Sequence, residues 1–421
     1  MREKIEYLDS LRGIAALVVI IFHFAADFYP ALLTANTADV HTTTFEALAR
    51  QTPLNVVYNG SFAVCVFFVL SGYVLTYKYF QSKDNMIIIS GAIRRYFRLL
   101  GPILTSILLA YLLLSLGMMY NQQAAFLTGS QWLHGFYQFN PSITEALRQA
   151  FYYTYLVDMS NSKIAYNAVL WTMNIEFRGS FLVFTLALFI GRLKNRYPLY
   201  LLALFFTLNT YYMGFVLGLI LADIYNSDKK DSFKIKNRGV AVIILLMGLF
   251  LGGYIPGIPS NPIYNMMTFK ILSNNMIVHY SVGASLLLLG LLNLKGLQEI
   301  LSHHFLVFIG KLSFSLYVVH RIIITSYSSW LFIQLVTCMS YFLAFVLTFL
   351  SSMVVIFVLG YLMYCIVDVN SVKLSRLVYN NLFNPNGENC SFNESVQYTV
   401  GLLKKNTYSM ITSLAELLSS K

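Results

Sequence analysis

The stretch Leu8-Asp9-Ser10-Leu11-Arg12-Gly13-Ile14-Ala15-Ala16-Leu17-Val18-Val19-Ile20-Ile21-Phe22-His23-Phe24 decides how the rest of the chain is read. It is long and apolar enough to cross a bilayer, yet it carries an arginine at its start and a histidine well inside. Arg12 and His23 lie eleven positions apart, about 16 Å along a helix that rises about 1.5 Å per residue. Eleven steps of about 100° return the second side chain to nearly the face of the first. One helical stripe therefore presents a cation near one membrane surface and an imidazole at greater depth. Ionisable groups inside a span are costly and face a cavity or a partner. From these residues alone two readings stay open. Either the stripe is functional, or Arg12 snorkels to the headgroups and His23 hydrogen-bonds a neighbouring helix.

The whole chain agrees with a membrane setting. Of its 421 residues 57% are hydrophobic and only 11% charged, against about 25% charged in soluble domains, and its mean hydropathy is +0.64. The net charge of +11 reports topology first, because cytoplasmic loops collect Lys and Arg. No soluble basic domain is present, so no nucleic-acid partner is expected. Cys65, Cys338, Cys365 and Cys390 show no paired or metal-ligand spacing, which leaves neither a disulfide framework nor a metal site to expect. The N-terminus runs straight into the first span without a small-residue cleavage pattern and reads as an uncleaved signal-anchor.

Apolar runs place spans at roughly 11–29, 60–80, 99–119, 171–190, 240–255, 277–294, 313–333 and 340–366. The run 198–224 is broken at Asn209-Thr210 and flanked by basic segments on both sides, so it reads as two short helices. The expectation is an all-α polytopic bundle of about ten spans. Ten spans put the N-terminus, the Lys/Arg-rich segments and the tail together in the cytoplasm. The transmembrane domain is taken as 1–366 and the tail as 367–421. Val396, Val400, Leu403, Ile411, Leu414 and Leu418 of the tail suggest an interfacial helix.

Five polar constellations interrupt this apolar background. The first is Arg12 with His23. The second is Ser71-Gly72, small residues that let backbones approach closely. The third is Arg94-Arg95-Tyr96-Phe97-Arg98, where guanidinium forks suit phosphate oxygens and the positive-inside rule offers a plainer explanation. The fourth, Trp171 to Glu176, places a carboxylate inside the bundle, where it must be paired, neutralised or hydrated. Arg178, two positions on, points to another side of the helix and is an awkward partner. The fifth is Ser313, Tyr317 and His320, a polar stripe on one face of an apolar helix. Five such stripes in one bundle imply a wet interior cavity.

These motifs resemble the membrane acyltransferase-3 family, integral-membrane enzymes that O-acylate envelope carbohydrates and related acceptors. The Arg-x10-His pattern falls on Arg12 and His23, preceded by Asp9 to Gly13 in the family's manner. Phe67 to Gly72 fits the Phe-Phe-x-x-Ser-Gly pattern, and Arg95 with Arg98 fits Arg-x-x-Arg. Trp171, Thr172 and Glu176 fit the Trp-Ser/Thr-x-x-x-Glu pattern. Gly310, Lys311, Ser313, Phe314, Tyr317 and His320 fit the Gly-Lys-x-Ser-Phe/Tyr-x-x-Tyr-x-x-His pattern. The matches run in family order from residue 9 to 320. The proline that usually follows Arg-x-x-Arg-Leu stands one position late, at Pro102, and the tail is too short for the soluble esterase domain of some relatives. The chain thus reads as a stand-alone membrane enzyme.

The resemblance implies an acyl-CoA donor, usually acetyl-CoA, on the cytoplasmic side of a bacterial inner membrane. It also implies an acceptor hydroxyl, on a polysaccharide or glycolipid such as lipopolysaccharide, reached from the far side. Arg94, Arg95 and Arg98 are then the candidates for the CoA phosphates. The thioester arm is expected to pass Arg12 towards His23, acting as general base or as acyl-carrying nucleophile. Glu176 is expected to meet His23 at similar depth. Asp9, Ser71, Trp171, Ser313, Tyr317 and His320 are expected to line or support the passage. The aromatic stretch 120–170 suits either sugar stacking or an interfacial belt. The rival reading is a transporter or flippase with an intramembrane His/Glu/Arg relay. It is disfavoured because transporters pair broken helices between repeated halves, whereas only 198–224 is broken here.

Overall fold

A computed structural model describes residues 5–160, 162–226, 234–255, 262–269, 272 and 274–383. It is helical throughout, with no strand among the described residues. The principal helices are α1 (Glu6–Phe28), α2 (Gly60–Ser82), α3 (Asn85–Ser115) and α4 (Trp171–Ile190). The short helices α5 (Tyr197–Thr207), α6 (Tyr212–Asn226) and α7 (Arg238–Gly252) follow. Then come α8 (Asn275–Asn293), α9 (His304–Ile323), α10 (Tyr341–Met363) and α11 (Val369–Phe383). Among the described residues, seven helices are long and apolar enough to cross a membrane and three shorter apolar ones accompany them. Seven of the ten expected spans fall on the long helices and the other three on the short ones.

The centre is α1, α2 and α9. The most apolar part of the helical segment His304–Val336, which contains α9, is 83% buried, whereas that of Tyr341–Phe383, which contains α10, is 22% buried. α1 and α9 run parallel and in register, because Gly13 meets Gly310 and, ten residues later on both helices, His23 meets His320. A Cβ on Gly13 would stand 2.7 Å from the Gly310 nitrogen, and one on Gly310 would overlap the Asp9 carbonyl. Small residues are what allow two helix backbones this close, and in lipid such packing supplies much of the association. Ser10 adds a hydrogen bond of 2.5 Å from its hydroxyl to the Leu301 carbonyl. α2 and α6 pack by the same device in the antiparallel sense, Gly72 against the Phe215 backbone and Gly218 against that of Val69.

The break at 198–224 is present. α5 ends at Thr207, Asn209 takes a positive φ of 64°, and α6 begins at Tyr212. The chain returns on itself, since Arg196 before α5 grips Asp223 near the end of α6 (Nε–Oδ2 2.5 Å, Nη2–Oδ1 2.7 Å). The Tyr200 hydroxyl donates to the same carboxylate at 3.2 Å.

Two expectations change. Span three was expected to begin near Leu99, but α3 is one continuous helix of 31 residues with Pro102 inside it. The three arginines therefore sit on a helix whose phase is set from Asn85, and Arg95 falls on its buried stripe with Ile88, Leu99 and Ile103. The expected boundary at 366 falls inside a π-helical turn, Tyr364–Asp368, through which α10 passes directly into α11. α11 packs back on α3, with Ser371 against Gly101, so residues up to 383 belong to the same body. The expected interfacial helix of the tail and residues 227–233 of the basic segment that follows 198–224 lie outside the described residues.

Gly310→Ala is expected to destabilise the bundle by about 1–3 kcal/mol through overpacking of α1 on α9. Gly296→Ala, where a Cβ meets nothing within 4 Å, is expected to be neutral or slightly stabilising. Unfolding midpoints of the purified protein in detergent check this; equal midpoints would contradict the contact.

Candidate active site

A cavity of about 550 Å³ lies between α1, α2, α3, α4, α9 and the start of α11. Helical spacing explains its walls. Thr172 and Glu176, four apart on α4, share the inward face, as do Ser313 and Tyr317 on α9. α1 contributes Asp9 and Arg12, and α2 contributes Phe67 and Ser71. α3 adds Arg95 and Arg98, and Lys311, Asp368, Lys373 and Arg376 complete the charged lining. Six lining residues are cationic (Arg12, Arg95, Arg98, Lys311, Lys373, Arg376) and three anionic (Asp9, Glu176, Asp368), an excess of three positive charges. Such a lining is built to receive an anion.

Glu176 and Arg95 form an ion pair in the cavity wall. The same Glu176 oxygen accepts a 2.7 Å hydrogen bond from the Ser71 hydroxyl. Glu176 thus does not meet His23 as expected; the buried phase of Arg95 on α3 claims the carboxylate first. Arg178 is turned away and donates to the Leu156 carbonyl. Arg94 does not line the cavity, nor does Trp171, whose ring packs on Tyr211 with centroids 5.3 Å apart.

His23 and His320 form a buried pair. His23 Nδ1 lies 2.9 Å from the Val19 carbonyl oxygen and 3.2 Å from His320 Nε2, while His320 Nδ1 lies 3.2 Å from the Leu316 carbonyl oxygen. A carbonyl only accepts, so both Nδ1 atoms carry the hydrogen, and that of His23 is shared between the Val19 carbonyl and His320 Nε2. This assignment leaves the Nε2 lone pair of His23 uncommitted, with no hydrogen-bond partner among the described residues. Helix backbone at both ends holds the tautomers in place.

The expected open passage from Arg12 to His23 is not there. The cavity ends at Phe67 and Tyr317, whose rings are 6.1 Å apart, and neither histidine lines it. Tyr317 is latched: its hydroxyl donates to the Val169 carbonyl at 2.9 Å and lies 2.8 Å from the Thr172 hydroxyl. Its ring is 5.8 Å from that of His320, so one aromatic layer separates the cavity from the histidine pair. Beyond the pair, Asp27 and Arg321 form a second, fully buried ion pair, with Arg321 stacked 4.1 Å over Phe136. Neither was singled out in the sequence, although an aspartate four positions after His23 and an arginine directly after His320 were visible intramembrane charges. No group of three or more His, Cys, Asp or Glu among the described residues is placed to hold a metal.

The sequence profile of the acyltransferase-3 family, described as an acyltransferase domain, matches residues 5–364. The chain belongs to the acyltransferase-3 family. It is similar to the acyltransferase clz18 of Cochliobolus lunatus, with 23% identity over 396 residues, covering 77% of this chain and 84% of the relative. No solved structure matches it. The protein is therefore a multi-pass membrane acyltransferase. The matched region closes at Tyr364, so the acyltransferase cavity draws Asp368, Lys373 and Arg376 from beyond it.

In this acyltransferase Glu176→Ala and Arg95→Ala are each expected to cost about 3 kcal/mol, because each strands a buried charge. The double variant is expected to lose less than the sum of the two. Chemical unfolding in detergent measures the cycle, and strictly additive losses would contradict the pairing.

Proposed function

We propose that this acyltransferase moves an acetyl group from acetyl-CoA to a hydroxyl of an envelope polysaccharide or glycolipid. The observation that carries the reading is the cation-rich cavity leading, through one aromatic layer, to a histidine with a bare Nε2. The phosphates of the donor are held at the end of the bundle where Arg98 and Lys311 stand, as charge-assisted contacts. The thioester arm runs inward past Arg12 and the Ser71–Glu176–Arg95 wall. It reaches His23 when the Tyr317 ring swings off its Val169 and Thr172 latch. We place the basic end in the cytoplasm, following the positive-inside rule, in the inner membrane of a bacterium, with the acceptor arriving from the opposite side.

At the reaction centre the Nε2 lone pair of His23 takes the proton of the acceptor hydroxyl while its oxygen attacks the thioester carbonyl. The tetrahedral intermediate collapses by breaking the C–S bond, and the CoA thiolate recovers the proton from the imidazolium. The products are an O-acetyl ester and free CoA, and nothing else is consumed. His320 accepts from His23 Nδ1–H and so stabilises the charge that develops on the ring. The transporter reading leaves the unpartnered imidazole and the basic cavity of about 550 Å³ without a joint purpose.

Membranes containing the full-length protein are expected to transfer radiolabelled acetyl from acetyl-CoA to endogenous glycan. His23→Ala is expected to lower this by about 100-fold or more, with the same amount of folded protein in the membrane. Undiminished transfer by His23→Ala would overturn the mechanism.

A further inference from the structure

The outer part of the cavity holds more positive charge than the reacting end can use. α11 presents Val369, Val372, Lys373 and Arg376 to the cavity along one stripe, at spacings of three and four residues. Ser371, on another side of the same helix, is buried against Gly101 of α3, which fixes the rotation of the stripe. Arg94, one turn before Arg98 on α3, lies close enough to both Arg98 and Arg376 for the like charges to repel. Its Nε is buried without a hydrogen-bond partner among the described residues. Like charges drawn together at a cavity mouth destabilise it unless an anion sits between them.

The cations are ordered by depth. Arg95, paired with Glu176, is buried and Arg12 half-buried, whereas Arg98, Lys311 and Arg376 are exposed, and Arg376, beside Arg94, stands furthest along α11 from the π-helical turn. A coenzyme A thioester has the same order of charge. Its acyl arm is neutral, its diphosphate lies in the middle, and a separate dianionic phosphate sits on the 3′ position of the ribose at the far end. We infer that Arg376 of α11, assisted by Arg94, reads the 3′-phosphate of the donor nucleotide. The inference rests on the donor reading above and adds a recognition element from beyond the matched family region. A planar guanidinium suits this task, because it can meet two phosphate oxygens at once.

The test is equilibrium binding of CoA and of 3′-dephospho-CoA to the full-length protein in lipid nanodiscs. Wild type is expected to bind CoA about tenfold or more tighter than 3′-dephospho-CoA, as charge-assisted hydrogen bonds provide. Arg376→Ala is expected to abolish most of that preference by weakening CoA, leaving 3′-dephospho-CoA within about twofold. Arg376→Lys is expected to retain part of the preference. Arg376 is exposed, so its removal leaves the fold in place. A wild-type protein without preference, or an Arg376→Ala variant that keeps it, overturns the role of α11 while the donor reading stands. Failure of wild type to bind either nucleotide overturns both.

Discussion

The close approach of α1 to α9 is the constraint from which the site follows. Two glycines, Gly13 and Gly310, bring the backbones together with the helices parallel, and every later pairing along the seam is a consequence of that register. His23 reaches His320 because each lies ten residues beyond its glycine, and Asp27 reaches Arg321 one turn further on α1. In a bilayer, where lipid is as apolar as the side chains, such seams are held by packing and by hydrogen bonds rather than by burial from water. A displacement of one helix along the other would separate both polar pairs at once and strand charges in hydrocarbon. The glycine contact and the two buried pairs therefore specify the same alignment independently.

The second organising feature is how the bundle divides its charges. Glu176 is committed to Arg95 and Ser71, and Asp27 to Arg321, so these five groups stabilise the walls and hold the helices in place. What remains around the cavity is predominantly cationic. Between that basic chamber and the histidine pair stands Tyr317, fixed by Val169 and Thr172. In this structure Phe67 and Tyr317 separate the cavity from the histidine pair. The latch comes from α4 and the turn preceding it, the same region that carries Glu176, so the wall of the cavity and its inner door are mechanically one unit.

Much of this was legible in the chain. The phase of Arg12 and His23, the small pair Ser71-Gly72, the break at Asn209 and the polar stripe of α9 are local properties, and helical periodicity reads them directly. The partner of Glu176 was not, because it depends on the phase of α3. That phase is set by a helix starting fourteen residues before the expected span and running through Pro102 without a break. The role of α11 was hidden for a similar reason: the π-helical turn at Tyr364–Asp368 shifts the phase, and no local pattern shows that Lys373 and Arg376 return to the cavity. The contacts between His23 and His320 and between Asp27 and Arg321 join residues nearly three hundred positions apart, so only the packing of α1 on α9 reveals them. The block at Tyr317 depends on a carbonyl in a turn, which composition does not announce.

The most direct measurement is an experimental structure of the full-length protein in lipid with a non-hydrolysable acetyl-CoA analogue. The account predicts phosphate density among Arg98, Lys311 and α11, an acyl arm running past Arg12, and Tyr317 rotated away from Val169 with the acyl carbon beside Nε2 of His23. An analogue bound elsewhere, or one seated in the cavity with its acyl end directed away from His23, would contradict it.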